Sequence, residues 1–222
     1  MRAGTFRTPH FRAVVPVLLV LLATLTPSAS AQSLYRYAPA TQWGYTYAGP
    51  AANSASGTTP KSANLEKQST IDVNYINFPD WAKKELQLAV DIWATNFQSK
   101  VAITIDATWS SSQSVAVLGS ARPGGYFAGF SGAPDSSLWY PSGLANALAG
   151  KDLDVRNAEM LINVNSRASW NRRGDGAPTT REYDLKSVFI HEIGHGLGFL
   201  SNDSYDSYLG YGSIEQPTPF DA

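Results

Sequence analysis

The sequence predicts an α/β domain, a twisted mixed sheet with two main helices. Three observations support this fold class. Two segments with alternating apolar residues flank an amphipathic segment at 80–98, a further apolar segment lies at 158–164, and a second amphipathic segment follows at 185–197. A period of two is typical of half-buried strands, whereas apolar residues three and four apart are typical of helices.

The first 31 residues have the organisation of a signal peptide. Three arginines precede the apolar run 13–25, and Ala29-Ser30-Ala31 follows it in the A-x-A form of a cleavage site. The run contains Pro16 and is shorter than the roughly 20 residues that a membrane-spanning helix needs. We therefore expect export, cleavage after Ala31 and no stable membrane association of the mature chain.

The composition of the mature chain excludes several classes of partner. Without residues 1–31 the chain keeps 14 Lys+Arg against 18 Asp+Glu, a formal charge of −4. This balance predicts no binding of nucleic acid or of an anionic membrane. The chain contains no cysteine, so it has neither disulfides nor thiolate ligands, and we favour a bacterial, extracellular protein. The composition predicts no particular oligomeric state.

Residues 32–67 are rich in Ala, Ser, Thr, Gly and Pro and contain few aliphatic residues. This composition predicts a low-complexity arm or pro-segment rather than part of the core. The tyrosines of the arm and Trp43 are expected to pack against the domain surface, with carbohydrate binding as the alternative. The folded domain is predicted to span residues 68–222.

The domain is predicted to begin with a strand, a helix and a second strand. Ile71, Val73 and Tyr75 alternate with polar residues, as do the apolar residues of 101–105. Between them a helix is predicted to begin at Pro79-Asp80 and to end near Gln98. Its apolar face consists of Trp81, Leu86, Ala89, Val90, Trp93 and Phe97. This order predicts a crossover unit, which is normally right-handed.

The middle of the chain is predicted to be rich in loops. Val115–Leu118 is expected to form a short strand and Ser142–Ala149 a short helix, while Gly124-Gly125 and Gly129 are expected to break regular structure. Ala158–Val164 predicts the last strand before the helix that carries the candidate site.

That helix contains the motif H-E-x-x-H as His191, Glu192 and His195. Residues four apart lie on one face of a helix, so both imidazoles can reach one Zn²⁺. The opposite flank is apolar and predicted to be buried, and Asp184 is the expected N-cap. The mature chain contains no other histidine, which favours a zinc site over an ordinary core helix.

Zinc chemistry explains the residue types of the motif. Three protein ligands leave a fourth position for water, whose pKa zinc lowers to roughly 7. Glu192 can then take a proton from the water and pass it to a leaving amine.

The segment around the motif, S-V-F-I-H-E-I-G-H-G-L-G-F, resembles the active-site helix of the metzincin metalloproteases, whose signature is H-E-x-x-H-x-x-G-x-x-H. It is also similar to uncharacterised secreted bacterial proteins with the same helix. His191, Glu192, His195 and Gly198 match the signature one by one. The resemblance implies a metzincin-like sheet and an edge strand, Ala158–Val164, that pairs with an extended peptide substrate. An ordinary strand of the sheet is the alternative, and it fits these residues equally well.

The third zinc ligand departs from the metzincin signature, because residue 201 is Ser, and no methionine follows the motif to form the family's Met-turn. Asp203 is the favoured replacement, and Asp206 and Glu215 are the alternatives. A ligand beyond residue 222 is a further alternative, with the C-terminal subdomain short or missing.

These observations predict a secreted zinc metallopeptidase that acts on peptides or proteins, with His191 and His195 as ligands and Glu192 as general base. Two alternatives remain: a non-catalytic zinc-binding or adhesive module, and an inactive truncated remnant of a protease.

Overall fold

The computed structural model describes residues 35–48, 66–174 and 178–200. Within these residues the fold is mixed α+β, with two sheets and three helices. The predicted signal peptide, 1–31, lies outside the described residues, as do the candidate ligands Asp203, Asp206 and Glu215. In chain order the elements are β1 (Arg36–Pro39), β2 (Gly44–Tyr47), β3 (Ile71–Ile76), α1 (Asp80–Asn96), β4 (Ile103–Ser110), β5 (Val117–Pro123), β6 (Gly125–Ala128), β7 (Tyr140–Pro141), α2 (Ser142–Ala149), β8 (Met160–Asn165) and α3 (Leu185–Gly196).

The predicted strand–helix–strand unit is confirmed as β3, α1 and β4. The two strands are parallel and adjacent, with Ile71 opposite Ile103 and Val73 opposite Ile105. Helix α1 begins after Pro79, whose fixed φ suits a helix start, and it ends two residues before the predicted Gln98. The predicted apolar face of α1 packs on the sheet, with Leu86, Ala89 and Val90 fully buried.

The larger sheet has five strands in the order β2-β5-β8-β4-β3. The expectation that Ala158–Val164 forms an edge strand is therefore wrong, because β8 lies in the middle, parallel to β4 and antiparallel to β5. Met160, Ile162 and Val164, which share one face of β8, are all fully buried in the core.

Part of the predicted arm belongs to the sheets. Strand β2 pairs antiparallel with β5 and forms the edge of the larger sheet. Strand β1 pairs antiparallel with β6, and Ala38 and Ala40 are buried. The polar composition of residues 32–67 conceals these short strands, because pairing through the backbone needs few apolar side chains.

The smaller sheet has the order β1-β6-β7, and the predicted helix α2 packs on it. The expectation that Gly124-Gly125 breaks regular structure is wrong at Gly125, which begins β6. Close packing explains why glycine occupies both positions. A Cβ atom would lie 2.4 Å from the Tyr37 ring at residue 125 and 2.0 Å from the Ala158 carbonyl oxygen at residue 124.

Helix α3 lies against the larger sheet and α1, and its buried side completes the core. Among the described residues, no helix is long and apolar enough to span a membrane.

Candidate metal centre

Helix α3 begins where the sequence predicts. The Asp184 carboxylate accepts a hydrogen bond from the Ser187 backbone N–H at 3.1 Å, which satisfies one of the free donors of the first turn. The Ser187 hydroxyl donates to the same oxygen at 2.5 Å. Asp184 is thus confirmed as the N-cap.

The apolar flank of α3 fixes the rotation of the helix. Leu185, Phe189 and Ile193 are fully buried in the core. The indole N–H of Trp93, on α1, donates to the Ile190 carbonyl at 3.0 Å. With one flank held in this way, Glu192 and His195 face β2 and β5.

The end of α3 shapes the surroundings of His195. Gly198 has a φ of +109°, a conformation that favours glycine, and the Phe199 N–H donates to the Gly194 carbonyl at 3.0 Å. Gly198 is thus the turning point after the helix. This turn brings the Phe199 carbonyl to the His195 ring.

The two histidine rings of the motif lie side by side. Their centroids are 4.4 Å apart and the rings are nearly perpendicular, at 88°. His191 is exposed, whereas His195 is buried. Partial desolvation, and then the charge of His195, lower the pKa of His191, which favours the neutral imidazole that a metal requires.

The Phe199 carbonyl oxygen fixes the orientation of the His195 ring. Its Nδ1 lies 2.5 Å from the Phe199 carbonyl oxygen, which can only accept, so Nδ1 carries the proton. Nε2 is then the nitrogen with a free lone pair, and it is buried without a hydrogen-bond partner among the described residues. A backbone carbonyl on one nitrogen and an unpartnered second nitrogen are typical of a zinc-binding histidine.

Glu192 is fully buried beside the histidines. Its Oε1 accepts a hydrogen bond from the Thr46 hydroxyl at 2.6 Å, while Oε2 has no partner among the described residues. Desolvation raises the pKa of Glu192 to about 8, although the Thr46 hydrogen bonds oppose the shift. A carboxyl group with such a pKa can exchange a proton near neutral pH.

Two imidazoles and a neighbouring carboxyl group fit a zinc site, and the unpartnered His195 Nε2 is the atom that such an ion would satisfy. Within residues 35–48, 66–174 and 178–200, no three His, Asp or Glu side chains come together as a ligand set. The candidates for a third ligand, Asp203, Asp206 and Glu215, lie outside these ranges.

Three residues of the site were not predicted from the sequence. Thr46 holds Glu192, Gly44 lies against the His195 ring, and Gly119 leaves room for the Glu192 side chain. A Cβ atom at residue 119 would lie 2.6 Å from Glu192 Oε1. No local pattern marks these residues, since two of them lie in a polar segment almost 150 positions before the motif.

Comparison with protein-family models, with curated proteins and with solved structures gives no match for this chain. The assignment of a function therefore depends on the geometry and chemistry of the site.

Proposed function

We propose that this protein is a secreted zinc-dependent metallopeptidase that resembles the metzincins and hydrolyses peptide bonds. The observation that carries the proposal is the pairing of two adjacent imidazoles, one with a buried unpartnered Nε2, with a buried carboxyl group on the next residue. A core helix with incidental histidines would leave these atoms buried at a cost of roughly 1–3 kcal/mol each.

In this proposal His191 and His195 hold the zinc ion, with Asp203 as the third ligand and Asp206 and Glu215 as alternatives. The ion supplies Lewis acidity and lowers the pKa of water. Glu192 accepts a proton from the attacking water and donates it to the leaving amine. The Phe199 carbonyl keeps the His195 ring in the orientation that presents Nε2.

Metal analysis of residues 32–222, beside a His195→Ala variant, tests the site. We expect roughly one zinc per chain in the parent protein and almost none in the variant, because two ligands do not hold the ion. Circular dichroism of both proteins controls for folding. A folded parent chain without zinc would contradict the proposal.

The role of Glu192 is tested separately with Glu192→Ala. This variant should keep its zinc and lose peptide hydrolysis by roughly a hundredfold or more, the usual range for general acid–base catalysis. The measurement is turnover of a fluorogenic peptide library by the zinc-loaded proteins. Undiminished turnover would show that Glu192 is not the base.

A non-catalytic zinc module is the second candidate, and the burial of His195 and Glu192 beneath β2 favours it. It predicts bound zinc without hydrolysis under every condition that exposes the site.

We also propose export of the chain with cleavage after Ala31. Intact mass measurement of the protein from the culture medium tests this, since a chain that begins at Met1 or remains in the cell would contradict it.

A further inference from the structure

Strand β2 lies over the candidate site along the edge of β5. The two strands are antiparallel, with Gly44 opposite Ala121 and Thr46 opposite Gly119. Gly44 is buried and Thr46 partly buried, whereas Tyr45 and Tyr47 are exposed. One side of β2 therefore faces α3 and the other faces solvent.

Gly44 lies directly against the His195 imidazole. A Cβ atom at residue 44 would lie 2.3 Å from His195 Cγ and 2.6 Å from Nδ1, distances that real Cβ atoms do not adopt. His195 is only 5% exposed. The backbone of β2 thus covers this side of the ring, and only glycine allows it to do so.

Thr46 attaches β2 to the second residue of the site. Its hydroxyl donates to Glu192 Oε1 at 2.6 Å, and it is the only side chain that donates a described hydrogen bond to Glu192. The strand therefore contacts the proposed ligand and the proposed base at the same time.

The attachment of β2 to the domain is short and mostly made by the backbone. The strand has four residues, its register shifts between Thr46 and Tyr47, and Ala48 N–H donates to the Ala116 carbonyl at 2.7 Å. Strand addition to a sheet edge is a general mode of binding for extended peptides. The edge of β5 that pairs with β2 is thus of the kind that an extended peptide can bind.

We propose that β2 is a built-in blocking strand that occupies the peptide-binding edge of β5 and keeps His195 and Glu192 covered until it is displaced. The inference rests on the proposed peptidase function and adds its regulation. The competing ligand is an extended peptide that pairs antiparallel with Gly119–Ala121. It must carry glycine at the position over His195, because any side chain there meets the imidazole.

The test measures the exposure of His195 in the full mature chain, residues 32–222, after removal of bound metal. Diethyl pyrocarbonate modifies accessible imidazoles, and mass spectrometry of the peptides gives the modification rates of His195 and of exposed His191, the internal reference. Gly44→Val and Thr46→Val should raise the modification rate of His195 relative to that of His191 roughly tenfold. The valine side chain at residue 44 forces β2 away from the imidazole, and Thr46→Val removes the hydrogen bond to Glu192. Tyr45→Ala, a change on the exposed side of the same strand, should leave the ratio unchanged.

Unchanged ratios in both Gly44→Val and Thr46→Val would overturn the proposal. If Gly44→Val does not fold, judged by circular dichroism, the nearly isosteric Thr46→Val decides alone. Peptide hydrolysis by the same zinc-loaded variants separates the two proposals. A higher modification rate of His195 together with faster peptide hydrolysis supports both proposals. A higher modification rate without peptide hydrolysis in any variant supports the blocking strand and contradicts the peptidase function.

Discussion

Glu192 is a buried carboxyl group with fewer hydrogen bonds than its burial requires. It is 0% exposed, the Thr46 hydroxyl donates to Oε1, and Oε2 has no partner among the described residues. Desolvation raises its pKa to about 8. In the metal-free protein Glu192 therefore keeps its proton at neutral pH, where the same carboxyl group is ionised in the unfolded state.

The pKa of Glu192 predicts how the stability of the metal-free protein changes with pH. The folded value, about 8, lies above the ordinary 4.5, so the folded state binds more protons than the unfolded state between these values. The contribution of Glu192 to the free energy of unfolding is therefore full below pH 4.5 and lost as the pH rises to about 8.

Urea unfolding of the metal-free protein at pH 5, 7 and 9 measures this effect. Glu192→Gln keeps a neutral hydrogen-bonding group at every pH, so the variant should lose less stability than the parent between pH 5 and pH 9. Parallel pH curves for the two proteins would show that Glu192 titrates normally.

At the scale of the element, two glycines of α3 differ in how closely other residues pack against them. A Cβ atom at residue 196 would lie 2.7 Å from the Met160 sulfur and 2.8 Å from Met160 Cβ. At residue 194 the nearest atom, in the Trp93 ring, would lie 3.7 Å away, an ordinary contact. Gly196 thus allows α3 to approach β8, whereas Gly194 has no such steric reason.

We expect Gly196→Ala to destabilise the protein and Gly194→Ala to stabilise it. Overpacking costs about 1–3 kcal/mol, whereas alanine in a helix gains up to about 1 kcal/mol over glycine. The free energy of unfolding should therefore fall by about 1 kcal/mol in Gly196→Ala and rise in Gly194→Ala. Urea unfolding of the matched pair gives both values, and equal shifts would contradict the close approach of α3 to Met160.

At the scale of the whole molecule, Glu159 joins the two sheets. Its Oε2 accepts from the Thr104 N–H of β4 at 2.6 Å, and its Oε1 accepts from the Asn146 side chain of α2 at 2.9 Å. Its backbone carbonyl accepts from Gly124 N–H at 2.7 Å. Desolvation raises the pKa of Glu159, with the charge of Asp152 as a smaller cause. The junction therefore depends on the buried amide of Asn146.

Asn146→Ala should lower the free energy of unfolding by about 1–3 kcal/mol, because it leaves the buried Glu159 Oε1 without its donor. The matched control is Asn74→Ala, which removes an exposed amide that donates to Asp106 at 2.8 Å. The control should change stability by at most about 0.5 kcal/mol. Equal losses in urea unfolding would show that the junction of the two sheets is not sensitive to Asn146.

The sequence by itself determined the features that depend on neighbours along the chain. The periods of the apolar residues predicted β3, α1, α2, β8 and α3, and the spacing of His191, Glu192 and His195 placed them on one helix. Asp184 and Gly198 were predictable as the ends of that helix because capping is a local property of the backbone.

The tertiary structure decided everything that depends on contacts between distant segments. The central position of β8 follows from its burial between β4 and β5. The placement of Gly44 and Thr46 over the site follows from backbone pairing of β2 with β5. Such pairing is made by main-chain groups that every residue carries, so it leaves almost no signal in the identity of the side chains.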